Sequence, residues 1–146
     1  MNALSFLTPK VQTVYLKADC TLRQAIEKLK YHKFKVIPLI DGNGKYIGSL
    51  TSADLFGYFS TCEITDIAQT EKIKLCEIIK SKHYKCCPLN ANLSRVASLL
   101  ITQLFVPMVD DRGIYCGIIE RKKVFNYYLN HYEFGISKDE TEESAT

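Results

Sequence analysis

The stretch "IPLIDGNGKYIG", Ile37 to Gly48, returns 69 residues later as "VPMVDDRGIYCG", Val106 to Gly117. Pro38, Asp41, Gly44, Tyr46 and Gly48 reappear as Pro107, Asp110, Gly113, Tyr115 and Gly117, and every position between each proline and aspartate is apolar. Further upstream the offset is 71: Leu22, Ala25, Ile26 and Leu29 correspond to Leu93, Val96, Ala97 and Leu100. Both sets follow the i, i+3, i+4, i+7 spacing of an amphipathic helix. Thr21 and Gln24 form a capping-box pattern and Asn92 an N-cap, so the start signals agree as well. Before the helices, Leu4 and Leu7 match Leu75 and Ile78.

Each copy therefore predicts a short strand (Val14 to Leu16; Lys85 to Leu89), a helix and a strand ending at Asp41 or Asp110. A tight glycine turn, a strand ending near Leu50 or Ile119 and a second helix follow. The turn "DGNG" between apolar runs is a hairpin signal because Asn and Gly accept positive φ. A lone β-α-β-β-α unit leaves one apolar sheet face uncovered, and two copies can cover each other. The expected fold class is α/β (α+β): two pseudo-twofold β-α-β-β-α repeats packed through their sheets. The boundaries read as repeat 1 over 1–60, a linker over 61–74, repeat 2 over 75–136 and a disordered acidic tail over 137–146.

A chain of 146 residues can bury roughly 70% of its unfolded surface. Its 47% apolar and 24% charged residues are those of an ordinary soluble protein. The tail "SKDETEESAT" carries four acids against one lysine; with +3 on the whole chain, about +6 falls on the remainder, a balance suited to phosphate-bearing small molecules or an acidic partner. The N-terminus lacks the basic and apolar regions of a signal peptide, and Val96 to Val109 falls short of the ~20 apolar residues a bilayer needs. A cytoplasmic location follows, where the six cysteines are expected as reduced thiols. No C-x-x-C occurs, the three histidines are scattered, and no metal site is expected. The vicinal pair Cys86-Cys87 reads as small strand residues. Lys72, Lys74, Lys80, Lys82, His83 and Lys85 interleave with Ile73, Leu75, Ile78 and Ile79 at the spacing of a packed amphipathic helix, not of a nucleic-acid patch. With no P-loop, dinucleotide fingerprint, zinc-protease or serine-nucleophile motif, the chain is not expected to be an enzyme.

The order of elements, "IPLID" with its glycine turn, and "GSLTSAD" (Gly48 to Asp54) resemble the CBS-domain family. The duplication is similar to the two-repeat Bateman module over nearly the whole chain, standing alone with no catalytic or transport domain attached. In that family the G-x-x-[ST]-x-x-D pattern holds an adenine nucleotide, which puts phosphate on Thr51 and ribose on Asp54. The resemblance places the adenine against Tyr15, Leu16, Val36 and Ile37, residues that read equally well as plain core. Lys35, just before the strand, is within reach of phosphate. The chemistry agrees: a helix start exposes unpaired N–H groups that attract phosphate, and an ionised Asp accepts from both ribose hydroxyls. The same Thr51-x-x-Asp54 pattern is also a complete capping box, which needs no ligand. In the second copy Glu120 and Lys123 stand at these positions, so that half-site is not expected to hold a nucleotide in the same way. Arg121 and Lys122 would add charge to a ligand across the cleft.

The expected function is a regulatory module that binds AMP, ADP, ATP or cyclic di-AMP between its repeats and signals occupancy to an effector protein. The alternative is a constitutive interaction module in which Thr51 and Asp54 only cap a helix. A homodimer is expected, because "FGYF" (Phe56 to Phe59) and "FNYY" (Phe125 to Tyr128) put aromatic residues near a surface.

Overall fold

The computed structural model describes residues 2–32, 36–79 and 84–135. Lys35, Lys80, Lys82, His83 and the acidic tail lie outside the described residues. The duplicated stretches form two hairpins: β3 (Val36–Ile40) with β4 (Tyr46–Thr51), and β6 (Phe105–Val109) with β7 (Tyr115–Glu120). Both turn glycines, Gly44 and Gly113, have φ +83°, which an L side chain rarely adopts. The Asp41 carboxylate accepts from the Asn43 and Lys45 backbone N–H groups, and the Asp110 carboxylate likewise from those of Arg112 and Ile114.

The leading strands are shorter than their sequences suggest. Parallel to β3 runs β2 (Leu16–Lys17), and parallel to β6 runs β5 (Cys87–Pro88). Their pairing covers Leu39 and Ile40 in one copy, Met108 and Val109 in the other, and stops short of Pro38 and Pro107. A proline has no N–H to give the ladder, so the repeated proline limits the neighbouring strand. The helices start as expected: α1 (Leu22–His32) is closed by the Thr21–Gln24 box, and the Asn92 side chain caps α4 (Leu93–Leu99). After the hairpins come α2 (Ser52–Cys62) and α5 (Arg121–Gly135).

The segment between the copies is folded against the first. Asp66 caps a 3-10 helix over Ile67–Lys72, Thr70 is buried, and Glu71 pairs with Arg23 of α1. The expected amphipathic helix around Leu75 is corrected to a single turn, α3 (Leu75–Ile78). Its first two N–H groups bond to the carbonyls of Cys20 and Ala18, which ties the backbone to the first copy, and Ile79 is extended.

Each copy's core is completed by the segment that precedes the other copy. At the N-terminus β1 (Leu7–Pro9) adds to the second sheet, giving the order β1-β7-β6-β5, with Leu7 opposite Ile119 and Pro9 opposite Gly117. Ala3 is buried there with Val106, Met108 and Ile119, and Phe6 and Leu7 pack against them. Reciprocally, Leu75 and Ile78 are buried with Leu22, Ile37 and Leu50 of the first copy, whose sheet has the order β2-β3-β4.

The sheets meet through Ile40, Tyr46, Val109 and Tyr115. The hairpins also cross-pair: Tyr46 N–H donates to the Gly113 carbonyl and Tyr115 N–H to that of Gly44. The two tyrosines then tether the crossing segments. Tyr46 donates to the Tyr84 carbonyl at 2.9 Å, and Tyr115 to the Thr13 hydroxyl at 2.9 Å. Burial pushes the Tyr115 phenol up to about 12 and raises that of Tyr46, so both remain donors at neutral pH. Cys87 lies in β5 and is buried in the second core, Cys86 precedes the strand, and the six thiols are free. Among the described residues no helix is long and apolar enough to cross a membrane.

Candidate ligand cleft

Each second hairpin strand runs directly into a helix, and the two junctions differ in charge. At β4–α2 the Thr51 hydroxyl accepts from Asp54 N–H at 3.1 Å, while the Asp54 carboxylate accepts from Thr51 N–H at 2.9 Å. The capping box is thus formed. A carboxylate offers about four acceptor positions, of which the cap uses one. Thr51 lies opposite Val36 in the β3–β4 register.

At β7–α5 the matching cross-strand pair is Phe105 with Glu120. Arg121 turns its guanidinium toward the end of α4: Nε donates to the Leu100 carbonyl at 2.7 Å and Nη2 to that of Ile101. A cation there complements the negative end of the helix dipole. Lys123 reaches back to β1 and donates from Nζ to the Thr8 hydroxyl at 2.7 Å.

A cavity of about 530 Å³ opens beside this second junction. One wall is Phe105, Ile118 and Glu120 of the second hairpin; the opposite wall is Val36 and Pro38 of the first. Thr8, Gln12 and Thr13 of the crossing N-terminal segment close one side, with Lys122 and Phe125 of α5 at another. The site is therefore an inter-repeat cleft.

Three of the sequence-predicted site residues, Val36, Arg121 and Lys122, come together in this cavity. Thr51 and Asp54 lie outside its lining. Leu16 and Ile37 are buried in the first core, at 4% and 0% exposure, and present almost no surface to a base. Tyr15 lies on another face, 5.9 Å from the Tyr115 ring, with Lys10 and Lys28 over its own ring. It lines a separate depression with Leu16 and Lys28. The sequence reading missed Thr8, Gln12 and Thr13, because the exchange of the N-terminal segment was not drawn from the match of Leu4 and Leu7 with Leu75 and Ile78. It also missed Phe105, which stands at the position of Val36 at the 69-residue offset.

Tyr84 holds the position in the second copy that Thr13 holds in the first. Its ring packs edge-on against Phe105 at 4.9 Å, and its hydroxyl accepts from Leu104 N–H at 3.1 Å. Thr13, the smaller residue of the pair, lines the cavity.

Comparison with known proteins agrees with this architecture. The CBS domain family matches residues 6–61. A CBS domain protein from Streptococcus pneumoniae superposes with a TM-score of 0.79 at 20% identity, covering 88% of this chain and 86% of that one. Listeria monocytogenes CbpB, solved in complex with c-di-AMP, gives a TM-score of 0.76 at 20% identity over 89% of this chain and 96% of its own. CBSX2, solved in complex with AMP, gives 0.71 at 23% identity over 90% and 98%. No curated protein is similar enough in sequence to match. Residues 6–61 belong to the CBS-domain family, and the chain folds as a tandem CBS pair.

Proposed function

We propose that this protein is a non-catalytic regulatory module that binds an adenosine-containing nucleotide between its repeats and signals occupancy to a partner protein. The observation that carries the reading is the β4–α2 junction, where a hydroxyl and a carboxylate are fixed one helical turn apart beside Val36. Phosphate is favoured at such a helix start and ribose hydroxyls at such an acid. Arg121 and Lys122 on the cavity wall add positive charge. The c-di-AMP and AMP complexes of CbpB and CBSX2 support the ligand class.

A thermal-shift panel tests it. Binding to the folded state alone stabilises by about 2.7 kcal/mol at a ligand concentration one hundred times Kd. At least one of AMP, ADP, ATP, cyclic di-AMP and S-adenosylmethionine is expected to raise Tm; if all five leave it unmoved, the nucleotide reading fails. The formed capping box favours a second reading, a constitutive interaction module with no ligand at Asp54. Either way we propose a cytoplasmic homodimer, since Phe56 on α2 and Phe125, Tyr128 and Tyr132 on α5 are exposed aromatic side chains.

A further inference from the structure

Away from the cleft, positive charge gathers around Tyr15. Lys10 Nζ lies 5.1 Å and Lys28 Nζ 5.6 Å from the centroid of its ring, so two cations share one aromatic side chain. Lys28 also donates to the Tyr15 carbonyl at 2.6 Å, which leaves two of its three N–H donors. Tyr15, Lys17, Asp19, Gln24 and Lys28 line an open depression of about 530 Å³. Lys10, Lys17 and Lys28 make no ion pair among the described residues, although like charges held close repel. The second copy has no such cluster: at the 71-residue offset Cys86, Pro88 and Leu99 stand where Tyr15, Lys17 and Lys28 are. The duplicated framework therefore does not require these cations.

Ammonium groups without acids suit carboxylates. Val11, on the same 3-10 turn as Lys10, is 90% exposed and offers an apolar contact beside the charge. Asp19 makes no hydrogen bond or ion pair among the described residues; an acid within the patch opposes a phosphate backbone and accepts an N–H. A protein segment supplies carboxylates, an apolar side chain and amide N–H groups together. The patch is also joined to the cleft. The Thr13 hydroxyl donates to the Lys10 carbonyl at 2.8 Å and accepts from Tyr115, while Gln12 and Thr13 line the inter-repeat cavity. One short turn thus has Gln12 and Thr13 on the cleft and Lys10 on the Tyr15 ring, so a displacement of Thr13 carries Lys10 with it.

We propose that the face formed by Lys10, Val11, Tyr15, Lys17 and Lys28 is the docking surface for an acidic segment of the partner protein, one that carries several carboxylates and an apolar side chain. This assignment rests on the signalling reading of the chain, and it gives the partner a chemistry and a place to bind. Electrostatic complementarity at such a surface sets the rate of encounter and the choice of partner.

Fluorescence anisotropy with a labelled peptide of glutamates around one leucine tests it, using the full chain without nucleotide at low salt. The parent is expected to bind the peptide, and a protein with both Lys10→Glu and Lys17→Glu to bind it at least about tenfold more weakly. Added salt should weaken the parent's binding, because exposed charges are screened. The Lys10 and Lys17 ammonium groups make no hydrogen bond among the described residues, so the melting temperature of the double variant should stay near the parent's. Lys10→Arg with Lys17→Arg should bind as the parent does. Arg95→Glu, an exposed charge reversal at the position of Gln24 in the second copy, should also bind as the parent does. A parent that does not bind the peptide, a double variant that binds as tightly as the parent, or an equal loss in Arg95→Glu would overturn the proposal. So would a labelled single-stranded RNA that binds more tightly than the peptide through the same lysines. No nucleotide is present in this titration, so it and the thermal-shift panel for the adenosine site fail separately.

Discussion

Gly117→Ala is expected to detach the N-terminal strand from the second sheet. A Cβ at this position would lie 2.1 Å from the Thr8 carbonyl oxygen and 3.1 Å from the Leu7 side chain, with φ at +149°. The obstacle is backbone, so no rotamer change relieves it. Left-handed strain and overpacking each cost about 1–3 kcal/mol, roughly 2–6 together, against a total stability of about 5–15. The urea midpoint should fall accordingly. Gly113→Ala is the control, since it has φ +83° but nothing within 4 Å of its Cβ, and should cost only about 1–2 kcal/mol. Equal losses in the two variants would mean that the close approach of Thr8 is not what requires Gly117. The consequence reaches the cleft, because β1 carries Thr8 and leads to Gln12 and Thr13 on its wall.

The duplicated framework was legible because each signal has a local cause. Apolar periodicity marked α1 and α4, glycine at positive φ marked the hairpin turns, and the Thr21, Thr51 and Asn92 caps formed where their spacing placed them. What stayed hidden depends on contacts distant in sequence. Leu7 pairs with Ile119, 112 residues away, and nothing in an apolar pattern says which sheet an edge strand will join. The strands beside Pro38 and Pro107 were overextended for a related reason, as the proline acts on its neighbour's ladder and not on its own apolar run. Leu16 and Ile37 show the limit at the site: an alternating strand gives the side that faces inward, but not whether a partner segment closes over it. Here Leu75 and Ile78 pack into that same core. Thr13 on the wall of the cavity stands where the second copy has Tyr84, a difference that neither the identities nor the charges brought forward.

The β4–α2 junction yields the other large effect, and it separates a cap from a ligand contact. The capping box is formed, so Asp54→Ala should cost on the order of 1 kcal/mol of stability in either case. If Asp54 also accepts ribose hydroxyls, the same change should weaken an adenine nucleotide by a further 1.5–3 kcal/mol, roughly 10- to 150-fold, since a charge-assisted acceptor is lost. Thr51→Ala should weaken phosphate-bearing ligands more than adenosine, because only phosphate meets the hydroxyl and the helix start. Lys123→Ala, at the position of Asp54 in the second copy, should leave ribose recognition unchanged, as its ammonium is engaged by Thr8 and offers no acceptor. Calorimetric titration of the three variants, run beside their denaturation curves, reads both quantities. An Asp54→Ala protein that is less stable yet binds the nucleotide as tightly as the parent would end the ribose assignment. The box at Thr51 and Asp54 would then do no more than hold the start of α2.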